Sequence, residues 1–419
     1  MLKLREKSYY KWIIAFSSLI VMIMTVGIIY NVFTIFTIPV TEGLSISRQT
    51  FSLAQTLIFT ATIFVNPFIS KLVEKTGLIR LIRIFSVATP IFYFGFSFVN
   101  STWQLYLVSL LVGISQCFVS MVPLSILLNS WFDKDIGLAL GITFMGSGIG
   151  GMIFNPVVNS IIENYSWRHA FGFLSIVMFI FLVPIGLFVI ILPPQMSQKE
   201  HLTTYQESET AASLNVETRA SSAVEENNSY LKDRRFWIIS LAFILDGVAG
   251  YSIINFVTPY FRDLGYSSYY AANVMAMSMG LMAVGKVVLG FVYDRTNVRF
   301  ATLLAIFAAF VGLVALYFAQ YPWALIFLGF GNFFGSPAGT VSQPLVTKGV
   351  FRARDYAKVN GLLVSFSNIG VTLTPIIANT IFDHSGSYRP HFVAMIVLMA
   401  ICFALFFLVL PRAAKKDSN

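Results

Sequence analysis

The sequence predicts an all-α membrane protein with twelve transmembrane helices arranged as two pseudo-symmetric six-helix bundles. Three observations predict it. The 419-residue chain is 57% hydrophobic and only 11% charged, with a mean hydropathy of +0.76; a soluble domain cannot hide that much apolar surface, so lipid has to act as its solvent. The apolar residues fall into twelve runs of about 20 residues or more, each enough to cross a hydrocarbon core of ~30 Å. The Lys and Arg residues gather in alternate loops, as the positive-inside rule requires.

Taken in order, the first run, 12–38, is too long for a signal-peptide core and lacks a convincing cleavage site, so it reads as a retained helix. Helices 2 to 6 follow at 49–70, 81–100, 103–128, 137–162 and 169–192, with a tight turn between the third and fourth. Residues 193–235 break the pattern: they are rich in Ser, Thr, Glu and Asn, lack an apolar period, and read as a flexible cytoplasmic linker. Helices 7 to 12 follow at 236–261, 268–293, 300–319, 322–347, 358–383 and 390–410. The predicted organisation is an N-terminal bundle over 1–192, the linker, and a C-terminal bundle over 236–419 ending in a short cytoplasmic tail.

Orientation follows from charge. With both termini inside, 23 of the 28 Lys and Arg fall on the inner side; only Arg48, Arg168, Arg262 and Arg389 lie outside, and Lys286 lies within a span. The net charge of +9 is thus a topology signal and not a nucleic-acid footprint, and the expected location is the plasma (inner) membrane. Cys117 and Cys402 both sit inside apolar runs, where they form neither a disulfide framework nor a zinc site. His169, His201, His384 and His391 fall in loops or at helix ends and are assigned no role. No metal, cofactor or nucleic-acid partner is expected, and the chain is expected to act as a monomer in the bilayer.

The two halves echo one another. Pro156-Val-Val-Asn159 through Glu163 to Trp167-Arg168 resembles Pro375-Ile-Ile-Ala-Asn379 through Asp383 to Tyr388-Arg389, and Glu74-Lys75-Thr76 after helix 2 recurs as Asp294-Arg295-Thr296 after helix 8. Related halves are the common build of secondary transporters, whose substrate site lies where they meet. Asn, Gln and ionisable residues away from span ends occur on helices 1, 2, 4, 5, 7, 8, 10 and 11, while helices 3, 6, 9 and 12 carry none. Polar groups facing lipid are costly, so those four helices should be peripheral and the other eight should surround a polar interior. On helix 11, Ser365, Asn368, Thr372, Pro375 and Asn379 form one polar stripe.

These features resemble the major facilitator superfamily. Its cytoplasmic signature loop, Gly-x-x-x-Asp-Arg-x-Gly-Arg, survives in the second half as Gly290-Phe-Val-Tyr-Asp294-Arg295-Thr-Asn297-Val-Arg299; the first half departs, with Ser70 for the leading Gly and Glu74 for Asp. Helix 5, with Gly137, Gly141, Gly146, Gly148, Gly150 and Gly151, resembles that superfamily's glycine-rich helix. Ser47-Arg48-Gln49, Trp103-Gln-Leu-Tyr106, Trp131-Phe132, Gly137-Leu-Ala-Leu-Gly141 and Tyr165-Ser-Trp167-Arg168-His-Ala-Phe171 are similar to the monocarboxylate-transporter and oxalate/formate-antiporter group. That resemblance implies carriage of small carboxylates with a proton or in exchange for another anion. It also implies a cation on helix 8 that meets the cargo. Lys286 stands where that group has Arg, and Lys cannot make Arg's bidentate clamp.

Two ionisable residues are deeply intramembrane. Asp246 on helix 7 lies ~15 Å from the inner end and Lys286 on helix 8 ~12 Å deep, at 1.5 Å per residue. The depths agree, so they are able to pair, either as a static bridge or with functions of their own: Lys286 attracting an anionic substrate, Asp246 taking up and releasing a coupling proton. Tyr30, Asn31, Gln116, Asn332 and Asn368 are further substrate-site candidates. Asp294, Arg295, Glu74 and Lys75 are expected to make charge contacts that favour one access state. The expected function is secondary transport of a small organic anion, by proton symport or anion exchange. The alternatives are a drug or metabolite exporter with a larger cavity, and a non-transporting solute sensor. No enzyme activity is expected, because the acid–base pair at depth lacks a nucleophile.

Overall fold

A computed structural model describes residues 9–193 and 229–411, and all regular structure among them is helical. Twelve helices are long and apolar enough to cross a membrane: α1 Tyr10–Leu44, α2 Arg48–Thr76, α3 Leu78–Phe98, α4 Thr102–Trp131, α5 Ile136–Asn164, α6 Trp167–Val189, α7 Arg234–Asn255, α8 Tyr269–Arg295, α9 Val298–Tyr317, α10 Ala324–Val350, α11 Ala353–Ser385 and α12 Arg389–Val409. Each corresponds to one apolar run. The stretch read as a linker, 193–235, lies outside the described residues except at its two ends, and Arg234 already begins α7.

Local chemistry sets the ends. Ser47 Oγ accepts the Thr50 N–H at the start of α2, and Ser267 Oγ accepts the Tyr270 N–H at the start of α8, so related positions in the two halves carry the same cap. Asn297 and Asp233 cap α9 and α7 likewise. The sequence reading runs helix 7 to 261, but α7 stops at Asn255 and a separate short helix covers Val257–Asp263. Pro259 is the reason: it has no N–H to give to the Asn255 carbonyl.

The packing repeats between the halves. α1 packs on α5, α2 on α4 and α3 on α6; in the second half α7 packs on α11, α8 on α10 and α9 on α12. The helices predicted to be peripheral turn large apolar side chains outward, among them Ile84 and Ile91 of α3, Ile176 and Ile180 of α6, Phe300 and Phe307 of α9, and Val397 and Leu408 of α12. α4 and α10 are both interrupted midway. α4 passes through a tight turn at Cys117–Val119, and α10 through widened turns at Gly331–Gly335 and Ala338–Ser342. Pro123 and Pro337 follow and lie inside these interruptions, each removing one backbone donor. Broken helices in a bilayer are tolerated where they line a cavity or are covered by protein.

The bundles meet along two seams, α5 against α8 and α2 against α11. At the α5–α8 seam the backbones touch: a Cβ on Gly137 would stand 2.2 Å from the Gly290 carbonyl oxygen, and one on Gly141 2.4 Å from that of Lys286. Only glycine permits so close a crossing.

Both described chain ends lie on one face. The Tyr10 hydroxyl donates to the Val189 carbonyl at the end of α6, and Arg299 at the start of α9 donates to the Leu410 carbonyl beyond α12. On that basic face the bundles are bolted together. Asp294 accepts the N–H groups of Gly137 and Leu138 at 2.8 and 2.7 Å, so an α8 carboxylate caps the N-terminus of α5 across the seam. Glu74 of α2 pairs with Lys358 of α11 at 3.3 Å, Lys348 donates to the Phe132 carbonyl, and Asn360 donates to Ser125. Ile69, Leu81, Phe118, Val122 and Val364 form an apolar plug drawn from both bundles. Among the described residues, every hydrogen bond and ion pair between the bundles lies at mid-depth or nearer this face.

Candidate functional site

Above the plug the bundles part around a chamber of about 290 Å³. Its wall is drawn from α1, α2, α4, α5, α7, α8, α10 and α11, and α3, α6, α9 and α12 contribute no residue to it. These are the eight helices that carry the polar side chains. Thr34, Gln55, Asn255 and Met275 continue the wall away from the plug, so the chamber opens on the face opposite the chain ends.

Lys286 lies in this wall, 2% exposed. Its Nζ donates to Ser147 Oγ at 2.7 Å and to the Phe144 carbonyl at 3.3 Å, both on α5 in the other bundle. An ammonium has three N–H donors, and two are accounted for by neutral oxygens. No carboxylate among the described residues stands within ion-pair distance of it. A buried cation without a counter-ion is expensive, so the position has a standing demand for negative charge.

Asp246 also lines the chamber, 3% exposed. It does not pair with Lys286: among the described residues its carboxylate makes neither an ion pair nor a hydrogen bond. The two residues share a depth, but depth was not enough. α7 and α8 are consecutive yet pack little on each other; α7 is taken up by α11 and α12, while α8 is drawn against glycine-rich α5. The lysine therefore reaches across the seam to α5. The carboxylate sits among glycines, where a Cβ on Gly250 would stand 3.1 Å from Oδ1 and one on Gly339 3.5 Å from Oδ2.

The other candidates separate into two layers. Tyr30, Asn31 and Asn368 are wall residues. Tyr30 stacks on Phe59 with ring centroids 4.5 Å apart, and its hydroxyl accepts a hydrogen bond from Gln116. Asn31 donates to the Ser147 carbonyl at 2.6 Å, tying α1 to the residue that holds Lys286. Asn368 donates to Thr62 at 2.8 Å across the α2–α11 seam. Gln116 and Asn332, expected in the site, are fully buried and stand behind it. Gln116 holds the Tyr30 hydroxyl, and Asn332 donates to Ser278 and accepts from Ser336.

Of the four residues expected to make gating contacts, Asp294 and Glu74 cross between the bundles as described, and Arg295 and Lys75 do not. Arg295 lies over the Phe291 ring of its own helix, and Lys75 is exposed on the basic face. Consecutive helical residues point about 100° apart, so when Asp294 faces the seam its neighbour cannot.

Sequence reasoning missed Ser147, which was hidden among the glycines of α5, and it missed the methionines of α8. Met275, Met279, Met282 and Lys286 all line the chamber. Their spacing of four, three and four puts them on one helical face, a polarizable apolar strip that ends at the ammonium. His391, read as lying at a helix end, is fully buried inside the α7–α12 contact beside Ser252 and away from the chamber.

Comparison with known proteins agrees with this architecture. The sequence profile of the Major Facilitator Superfamily matches residues 15–348. Monocarboxylate transporter 12 of Mus musculus is 26% identical over 344 residues, 76% of this chain and 68% of the relative. The oxalate:formate antiporter of Oxalobacter formigenes is 24% identical over 423 residues, 97% of this chain and 93% of the relative. Monocarboxylate transporter 11 of Homo sapiens is 24% identical over 363 residues, 83% and 72% of the two chains.

Proposed function

This chain belongs to the major facilitator superfamily, and from that premise we propose that it carries a small organic carboxylate across the plasma membrane by alternating access. It is a transporter and not an enzyme. The observation that carries the substrate reading is Lys286: a buried cation in the chamber wall, held by neutral oxygens and lacking an acidic partner among the described residues. The names of the relatives point to the same chemistry, monocarboxylates in one case and oxalate and formate in the other. The chamber volume of about 290 Å³ lies just below the roughly 300–1,000 Å³ typical of ligand pockets, which favours a small cargo over the bulky compounds of a drug exporter.

In this reading the termini are cytoplasmic, the chain works as a monomer, and the structure corresponds to the outward-facing state. A carboxylate enters from outside, passes the methionine strip and displaces Ser147 or the Phe144 carbonyl from the Lys286 ammonium. Those contacts join the two bundles, so their exchange for cargo loosens the centre of the seam. The basic-face bolts of Asp294 and Glu74 must then release for the inward-facing state to form. Asp246 takes up a proton when the cargo is a plain carboxylate, so that the chamber carries no net charge as it closes.

Proteoliposomes test this. Counterflow of short monocarboxylates is expected, with uptake by the wild type accelerated when the outside is acidic. Asp246→Asn should keep anion exchange and lose that acceleration. No counterflow with any carboxylate would contradict the substrate reading, and an unchanged pH profile in Asp246→Asn would remove its proton role.

A further inference from the structure

We infer that the chamber is a two-pole site whose preferred cargo is a small zwitterion, carrying a carboxylate at one end and a cationic nitrogen at the other. The inference rests on the proposed role of Lys286 as the carboxylate site and adds a second, cation-accepting subsite at Asp246.

Three observations support the second pole. First, Asp246 is nine-tenths buried or more, faces the chamber, and has no hydrogen-bond or ion-pair partner among the described residues. A carboxylate in such a place lacks the cation that burial normally demands. Second, the space beside it is kept clear by residues without side chains. Gly250 is one turn along α7 and Gly339 faces it from α10, with virtual Cβ positions 3.1 and 3.5 Å from the two carboxylate oxygens. A side chain at either position would crowd the niche where a ligand cation has to sit. The hydroxyls of Ser336 and Thr340 and the amide of Gln343, all on α10, line the chamber as neutral polar groups. Third, the wall on the Lys286 side is apolar and adaptable, with Met279 and Met282 on the strip that leads to Lys286.

Charge balance makes the same point. Asp246 and Lys286 are the charged side chains of the wall, one of each sign. The other titratable side chains of the wall are Tyr30 and Tyr251, and tyrosine is ordinarily uncharged at neutral pH. With Asp246 ionised and Lys286 protonated, the charges of the empty chamber balance. A plain carboxylate brings one uncompensated negative charge into a low-dielectric space and requires a proton with it. A zwitterion brings none, meets both poles, and needs no proton.

The experiment compares chain-length-matched pairs on the purified full-length protein in nanodiscs at pH 8, by calorimetric titration. The pairs are glycine with acetate, β-alanine with propionate, and 4-aminobutyrate with butyrate. At least one amino acid should bind about tenfold or more tightly than its partner. Asp246→Asn should erase that advantage while the plain acid still binds, which also certifies that the variant is folded. The inference is overturned when the plain acid binds as tightly as its amino partner at every length, or when the advantage survives in Asp246→Asn. The reading of Lys286 fails separately: there, Lys286→Gln leaves the affinity for acetate, propionate and butyrate unchanged.

Discussion

Replacing Lys286 with Gln is expected to cut carboxylate transport severely at substrate concentrations near the wild-type KM. Glutamine is one bond shorter but remains a neutral polar side chain with N–H donors facing α5, so the variant should fold and insert normally. What it lacks is the charge. Truncating one partner of a buried, hydrogen-bonded ion pair costs about 2–5 kcal/mol, which corresponds to roughly 30-fold or more in affinity. The same loss should appear as a raised KM for exchange as well as a weaker Kd. Lys286→Arg provides the complementary case. It restores the residue type implied by the resemblance at this position, and its planar fork suits a carboxylate better than a point charge does. Transport should survive in it with altered selectivity, shifted toward carboxylates that present both oxygens. Normal flux in Lys286→Gln removes the anion-site assignment.

The second large effect is expected at Gly137. A Cβ there stands 2.2 Å from the Gly290 carbonyl oxygen, and an α8 backbone atom cannot rotate away as a side chain would. Gly137→Val therefore forces α5 and α8 apart at the basic face and strips Asp294 of the two N–H groups it caps. Hydrogen bonds to a charged group contribute about 1.5–3 kcal/mol each. Their loss, added to the steric clash, approaches the ~5.5 kcal/mol that inverts a 99:1 conformational equilibrium. The variant should fold, accumulate open on the basic face, and transport at least tenfold more slowly. Its signature is labelling of a cysteine introduced at Ser125, which Asn360 covers in the closed state, with Cys117 and Cys402 replaced beforehand. Gly285→Val is the contrast. Its Cβ would stand 1.7 Å from the Phe333 carbonyl oxygen, a contact within one bundle. It should lower folded yield without changing which face is open.

Much of this was legible in the sequence because the bilayer imposes strict rules. Twelve apolar runs gave twelve helices, since a spanning segment must satisfy its own backbone and has a fixed minimum length. The distribution of Asn, Gln and charged residues marked the eight helices of the chamber wall for a related reason: polar groups avoid lipid. What escaped was the choice of neighbour. Asp246 and Lys286 match in depth, but whether they meet depends on how α7 and α8 pack. That is decided by glycines on α5 that draw α8 away. Gln116 and Asn332 show the limit of polarity as a guide, since a buried amide serves equally well in a second layer that holds Tyr30 or Ser336 in place. Ser147 had no signal of its own. Its importance comes from facing Lys286 across a seam between segments 139 residues apart.

The most direct test is a structure of the protein with a short carboxylate bound, determined in lipid nanodiscs. The carboxylate is expected within hydrogen-bond distance of Lys286 Nζ, with at least one of the bonds to Ser147 Oγ and the Phe144 carbonyl given up. A carboxylate bound elsewhere in the chamber, with Lys286 still donating to both α5 oxygens, would contradict the anion-site assignment.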